Sequence, residues 1–158
     1  MTFEEYVKVY EKKTGDEHLC PEGYTTLYDK DKGYAQYKVE GNRLRIYEVC
    51  GDGRYWYHLG AKICQDNHIP FIVTVCTVKL RPYLRLMQLK PTKEYQQPER
   101  DGGWKIEGVN HLGLRFFCWP AWFDHEKGRH AYYIVTEMTR ETENEKNEIQ
   151  LSTVQEGE

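Results

Sequence analysis

The sequence predicts an α+β fold in three layers, a central mixed sheet with helices on its faces. Three observations carry that expectation. A short amphipathic pattern opens the chain. Three stretches rich in Tyr, Thr, Val and Ile come next, separated by turn residues. Between residues 43 and 90 the apolar spacing then reads strand, helix, strand, helix.

In TFEEYVKVYEKKTG, Thr2 and Glu5 stand at capping-box spacing, Phe3, Tyr6, Val7 and Tyr10 share one helical face, and Gly15 supplies a stop. After the CPEGY link, YTTLYD, GYAQYKV and RLRIYEV are separated by Asp-Lys-Asp-Lys-Gly and Glu-Gly-Asn turns and read as an antiparallel meander. From Arg54 to His68 the residues Trp56, Leu59, Gly60, Ile63, Cys64 and Asn67 repeat at helical spacing until Ile69-Pro70 ends the run. FIVTVC has Thr as its only polar residue, the pattern of a strand covered on both faces. A helical crossover joins it to RLRIYEV, so these two strands are expected to be parallel. In LRPYLRLMQL, Leu80, Tyr83, Leu84 and Met87 share a face, with Pro82 in the first turn, where a helix tolerates it. KPTKEYQQPERDGG (90–103) reads as a polar loop or lid, LGLRFFCWPAWF is the most apolar stretch, and HAYYIVTEM reads as a last strand. No repeat or boundary divides residues 1–139, which are expected to form one domain.

Composition narrows the function classes. The chain has 158 residues, 39% of them hydrophobic and 30% charged, which is enough for one core. No run approaches the roughly 18 apolar residues of a membrane span, and the acidic N-terminus does not resemble a secretory signal. A cytoplasmic protein without a membrane partner is therefore expected. Residues 140–158 hold six acidic and two basic residues against a chain total of −3, so residues 1–139 are close to neutral. This acidic tail is expected to be disordered or to dock on a partner. The five cysteines are odd in number and three stand in apolar runs, as free thiols in a reducing compartment do. His18 and Cys20, and Cys64 and His68, are close in sequence but lack a second pair at zinc spacing. His58, His111, His125 and His130 show no such spacing either, so no metal is expected.

The stretch EVCGDGRYW (48–56) carries the chemical question. Glycines leave backbone N–H groups uncovered at a helix start, where they and the helix dipole can hold a phosphate. Asp52 can instead cap that helix, the loop then being only a turn. Lys79, Arg81, Arg85, Lys90 and Lys93 concentrate positive charge. Without a nucleic-acid-binding signature, that charge reads as a solvated helix face before it reads as a nucleic-acid surface. The dense aromatics Phe116, Phe117, Trp119, Trp122 and Phe123, interrupted by Pro120, suggest either a core corner or a surface for a protein partner.

The element order, the strand 44–49, the loop Glu48–Gly53, the helix after it, FIVTVC and the helix with Tyr83 together resemble the GCN5-related N-acetyltransferase (GNAT) fold over about residues 20–135. LGAKICQDNHIPFIVTVCTVKLRPYLRLMQLKP looks like the divergent acetyltransferase-like proteins encoded among bacteriophage virion genes. The resemblance implies an acyl-CoA-dependent N-acyltransferase that moves an acyl group from acetyl-CoA to a small-molecule or protein amine, in a host cytoplasm or a virion if phage-encoded. It implies that Val49, Cys50, Gly51, Gly53, Arg54 and Tyr55 cradle the pyrophosphate, that Glu48 is the general base and that Tyr83 is the acid for the departing thiolate. Glu48 departs from the family loop, which has Arg or Gln there, and together with Asp52 it sets like charge against a phosphate. The family's Tyr falls later, where Arg85 and Leu86 stand here. The alternative is a non-catalytic GNAT-like protein, structural in a phage or binding a partner through its aromatic segment and tail.

Overall fold

The computed structural model describes residues 1–98 and 102–138; the predicted acidic tail lies outside the described residues. Helix α1 (Phe3–Thr14) carries the expected capping box, Thr2 and Glu5 satisfying each other's backbone N–H, and ends at Gly15 in the left-handed conformation. The meander is β1 (Thr25–Asp29), β2 (Gly33–Glu40) and β3 (Arg43–Gly51), all antiparallel.

The two glycines that pair at the end of this meander fix the path of the chain into the second helix. Gly33 and Gly51 have φ of +101° and +97°, and a Cβ on either would lie 1.9 Å from the Cys50 carbonyl oxygen or 2.3 Å from that of Lys32. Only glycine allows this approach. The Lys32 carbonyl is thereby brought to the start of α2 (Gly53–Asn67), where it accepts from the Asp52 N–H at 2.9 Å and from the Trp56 indole at 2.8 Å. Trp56 is almost fully buried, so its N–H finds a partner as a buried indole must.

Beyond α2 come β4 (Phe71–Cys76), α3 (Leu80–Leu86), β5 (Leu89–Gln97), β6 (Gly103–Asn110), β7 (Arg115–Asp124) and β8 (Arg129–Glu137). Two expectations need correction. The helix around Tyr83 ends at Leu86, not Leu89, because Gln88 turns to φ 59° and Leu89 enters a strand. Most of the segment read as a loop or lid is β5, paired antiparallel with β6. Its side chains are polar and mostly exposed because it is an edge strand, and Pro91 is tolerated at a shift in pairing register between Pro91 and Lys93.

The eight strands form one mixed sheet in the order β1-β2-β3-β4-β8-β7-β6-β5. Its one parallel pair among the described residues is β3–β4, as the crossover through α2 requires. Side-chain alternation divides the helices between the faces. Trp56, Gly60 and Cys64 of α2 pack on Ala35, Tyr37, Leu44, Ile46 and Ile72, and α3 packs Leu80 and Leu84 with Cys76, Phe116, Cys118 and Ile134. Ile72 and Cys76 lie on the same face of β4, so α2 and α3 share one side. On the other side Tyr6 of α1 meets Tyr34 and Cys50. Three layers of α+β architecture result.

Candidate functional site

The parallel pair opens in the middle of the sheet. β3 and β4 are in register from Arg43–Phe71 to Ile46–Thr74, then pairing stops although β3 runs to Gly51 and β4 to Cys76. Each strand stays paired on its outer side, β3 with β2 and β4 with β8. The parting begins where β3 carries an extra residue. Ile46 faces Tyr37 and Val49 faces Ala35, so Tyr47 and Glu48 together oppose Gln36 as a bulge. Strand edges therefore face one another across a gap without pairing.

Glu48 sits at this bulge, 1% exposed, on the α1 face. Its Oε1 accepts from the Tyr34 hydroxyl at 2.8 Å and lies 2.7 Å from His18 Nδ1, and its Oε2 accepts from the Leu19 N–H at 2.7 Å. A buried carboxylate needs this set of donors. Burial, and then the bond to Glu48, push the Tyr34 phenol well above its ordinary value, so it keeps its proton and donates. The segment after α1 is pinned as well. Glu11 accepts the His18 N–H at 2.8 Å, Gln36 Nε2 donates to the Leu19 carbonyl at 3.1 Å, and Asp16 pairs with Lys127 at 3.0 Å. Predicted as a base, Glu48 is enclosed, and the side chain of this group that reaches solvent is His18, 24% exposed. Sequence reasoning treated His18 only as a metal candidate. The signal that could have found it was a lone acid in a strand otherwise patterned apolar on its inner positions.

Tyr83 flanks the opening from the opposite face. Its hydroxyl lies by Thr74, the last β4 residue paired to β3; burial raises the phenol well above its ordinary value, while the Thr74 hydrogen bond partly opposes this. The tyrosine stays protonated and can act as a donor.

The predicted cradle residues are spread over both faces. Val49 packs toward α2, whereas the Cys50 thiol is buried toward α1, 3.3 Å from the Tyr6 carbonyl, and burial raises its pKa. Gly51 abuts Lys32, and Gly53 opens α2 with the Met87 sulfur as nearest neighbour to a Cβ there. Arg54 Nε donates to the Leu86 carbonyl at 2.9 Å, tying the end of α3 to the start of α2. The Tyr55 N–H donates to Asp52 Oδ1 at 3.0 Å, so Asp52 is the N-cap. Its carboxylate is 3.6 Å from the Lys32 ammonium. The helix terminus already holds an anion, one that belongs to the chain.

The other candidates separate. Arg81 is paired with Glu94 at 2.6 Å and stacked on Trp104, so part of the basic cluster is internally neutralised. In the aromatic segment Phe116 and Cys118 are core, while Trp119 and Trp122 are 37% and 47% exposed on the face of β7 away from α3. Two cavities of about 480 and 250 Å³ lie by Asn42, His68 and Pro70, and by Leu27, Lys38 and Ile63, away from the open end of β3 and β4. Among the described residues no three His, Cys, Asp or Glu gather as a metal site, the five cysteines are free, and no helix is long and apolar enough to cross a membrane. No family model matches the chain, and no curated protein matches it.

Proposed function

We propose that the protein is an acyl-CoA-dependent N-acyltransferase of GNAT type, which passes the acyl group of acetyl-CoA to an amine. The observation that carries this reading is the parting of β3 and β4 inside an otherwise continuous sheet. Unpaired strand edges attract an extended chain with amide groups at peptide-like spacing, and the pantetheine arm of CoA is such a chain. Its thioester would then lie between the His18–Glu48 group on one face and the Tyr83 hydroxyl on the other. The amine attacks the thioester carbon, the tetrahedral oxyanion is met by strand N–H groups, and the Tyr83 hydroxyl stands ready to donate a hydrogen bond to the departing sulfur. The pyrophosphate would fall to the start of α2, with Lys32 and Arg54 as its cations.

A second reading rests on Asp52. Because its carboxylate occupies the Tyr55 N–H and faces Lys32, the loop is complete without a ligand. That favours a non-catalytic GNAT-like protein that binds a partner, with Trp119 and Trp122 as its exposed aromatics.

Calorimetric and thermal-shift titration with acetyl-CoA and CoA separates the two. Under the enzyme reading, ligand at a hundred times its dissociation constant adds about 2.7 kcal/mol of stability. Gly53→Glu, which places a carboxylate at the first turn of α2, abolishes the effect. No response of the wild type at millimolar CoA removes the enzyme reading.

A further inference from the structure

We propose that His18 and Glu48 form the acid–base centre of a primary-amine site on the α1 face of the sheet, His18 Nε2 accepting the amine proton and Glu48 positioning the imidazole. This rests on the acyltransferase reading for the reaction it serves.

A carboxylate can only accept, so the 2.7 Å contact places a proton on His18 Nδ1; in the neutral imidazole the lone pair is then on Nε2. Nε2 has no partner among the described residues, and the ring is 24% exposed. The imidazole is held more firmly than a surface histidine would be. Its backbone N–H is bound by Glu11, the next residue is bound to the sheet through both its N–H and its carbonyl, and the ring stands edge-on to Phe3 and Tyr34 at 5.7 and 5.8 Å. A carboxylate behind a fixed imidazole with a free outer nitrogen is the arrangement that makes histidine an efficient proton acceptor.

The surroundings select the substrate class. The groups near this corner are Tyr10, Glu11 and Lys13 from α1, Asp16 from the segment after it, Tyr34 from β2, Tyr47 and Glu48 from β3, and Lys127 from the β7–β8 turn. Lys127 is spent on Asp16. Asp16 and Lys127 cancel, the phenols are neutral, and Glu11 and Glu48 then face Lys13 alone, a small excess of negative charge that suits an amine arriving as an ammonium ion. His18 is bonded to Glu48, which sits at the bulge where β3 leaves β4. In the step, the ammonium first gives one proton through His18 Nε2 to solvent; the lone pair of the resulting neutral amine then forms the C–N bond, the C–S pair leaves with sulfur, and the second proton lost from nitrogen moves to His18 Nε2. The Tyr83 hydroxyl, which keeps its proton, donates a hydrogen bond to the departing thiolate, and the thiolate takes its proton from solvent.

The test uses the full chain with ¹⁵N-labelled histidine, followed by NMR while cadaverine and acetyl-CoA are added separately. The expected spectrum has His18 protonated at Nδ1 with a downfield N–H proton, which moves upfield in Glu48→Gln, and cadaverine shifts the His18 ring resonances. His18→Gln keeps the fold and the acetyl-CoA affinity while kcat falls about 100- to 10,000-fold, the span general-base loss produces. A His18 ring unmoved by cadaverine, or a His18→Gln protein with unchanged kcat, overturns the amine site. If cadaverine shifts His18 and acetyl-CoA does not bind, the amine site stands and the acyltransferase reading falls. If acetyl-CoA binds and His18 ignores the amine, the reverse holds.

Discussion

Replacing Asp52 by alanine tests the start of α2 in two ways at once. The carboxylate caps the helix through the Tyr55 N–H at 3.0 Å and faces Lys32 at 3.6 Å, with both charged side chains roughly half exposed. Loss of such a cap costs about 1 kcal/mol, and an exposed ion pair adds at most a fraction of that. For a chain of this size the melting temperature should fall by about 2–4 °C. The effect must also depend on pH. The Tyr55 N–H holds the Asp52 carboxyl below its ordinary value of 3.8, against a small opposing push from burial and with help from Lys32. A depressed carboxyl contributes stability above its unfolded pKa and loses it as pH falls through the folded value. Wild type and Asp52→Ala should therefore differ at neutral pH and converge in acid, which thermal melts at both pH values will show. The same substitution removes a like charge from the proposed pyrophosphate site. At ~4 Å in water-like surroundings that charge opposes the ligand by about 1 kcal/mol, so acetyl-CoA should bind about fivefold tighter. Equal melts at neutral pH would refute the cap. A destabilised variant whose acetyl-CoA affinity does not improve would refute the placing of the pyrophosphate at this helix.

Further outcomes come from packing. Gly33→Ala would drive a Cβ to 1.9 Å from the Cys50 carbonyl in a left-handed conformation, and a urea titration should show a loss of more than about 3 kcal/mol. Glu48→Ala leaves the Leu19 N–H and the Tyr34 hydroxyl without their acceptor, and chemical denaturation should register about 3–5 kcal/mol, with Glu48→Gln costing less. Trp119→Ser and Trp122→Ser remove half-exposed rings, Trp119's lying against Tyr133, and thermal melts should register a loss of about 1–2 kcal/mol for each; an unchanged melt would mean the rings are not packed on the sheet.

The fold was legible where a local rule and the tertiary structure agree. The capping box of α1, the meander, the crossover through α2 and the parallel β3–β4 pair all derive from spacing and turn chemistry. β5 was hidden because an edge strand with polar side chains on both faces has no hydrophobic alternation, and Pro91 and the glycines at residues 102 and 103 imitate a loop. The loop residues were placed at the start of α2 by their glycines, and the cap by Asp52 was one of the two readings that local chemistry allowed. His18 could not be paired with Glu48 from sequence, since 30 residues and a turn of chain separate them and the contact depends on a bulge opposite Gln36. Local spacing carries no information about which strand will part from its neighbour.

The position of β4 at the centre of the sheet governs the order in which the molecule can be assembled. Its neighbours are β3, made just before it, and β8, made last among the described strands. While the chain is being synthesised, Ile72 and Val73 can dock beside β3 as soon as α2 has formed, but their other edge waits until Val135 and Thr136 emerge. Until then an apolar strand with open hydrogen-bonding groups is exposed to other chains. The contact order of the β4–β8 seam is high, so closing it should limit the folding rate, and chains halted before β8 should be the ones that aggregate.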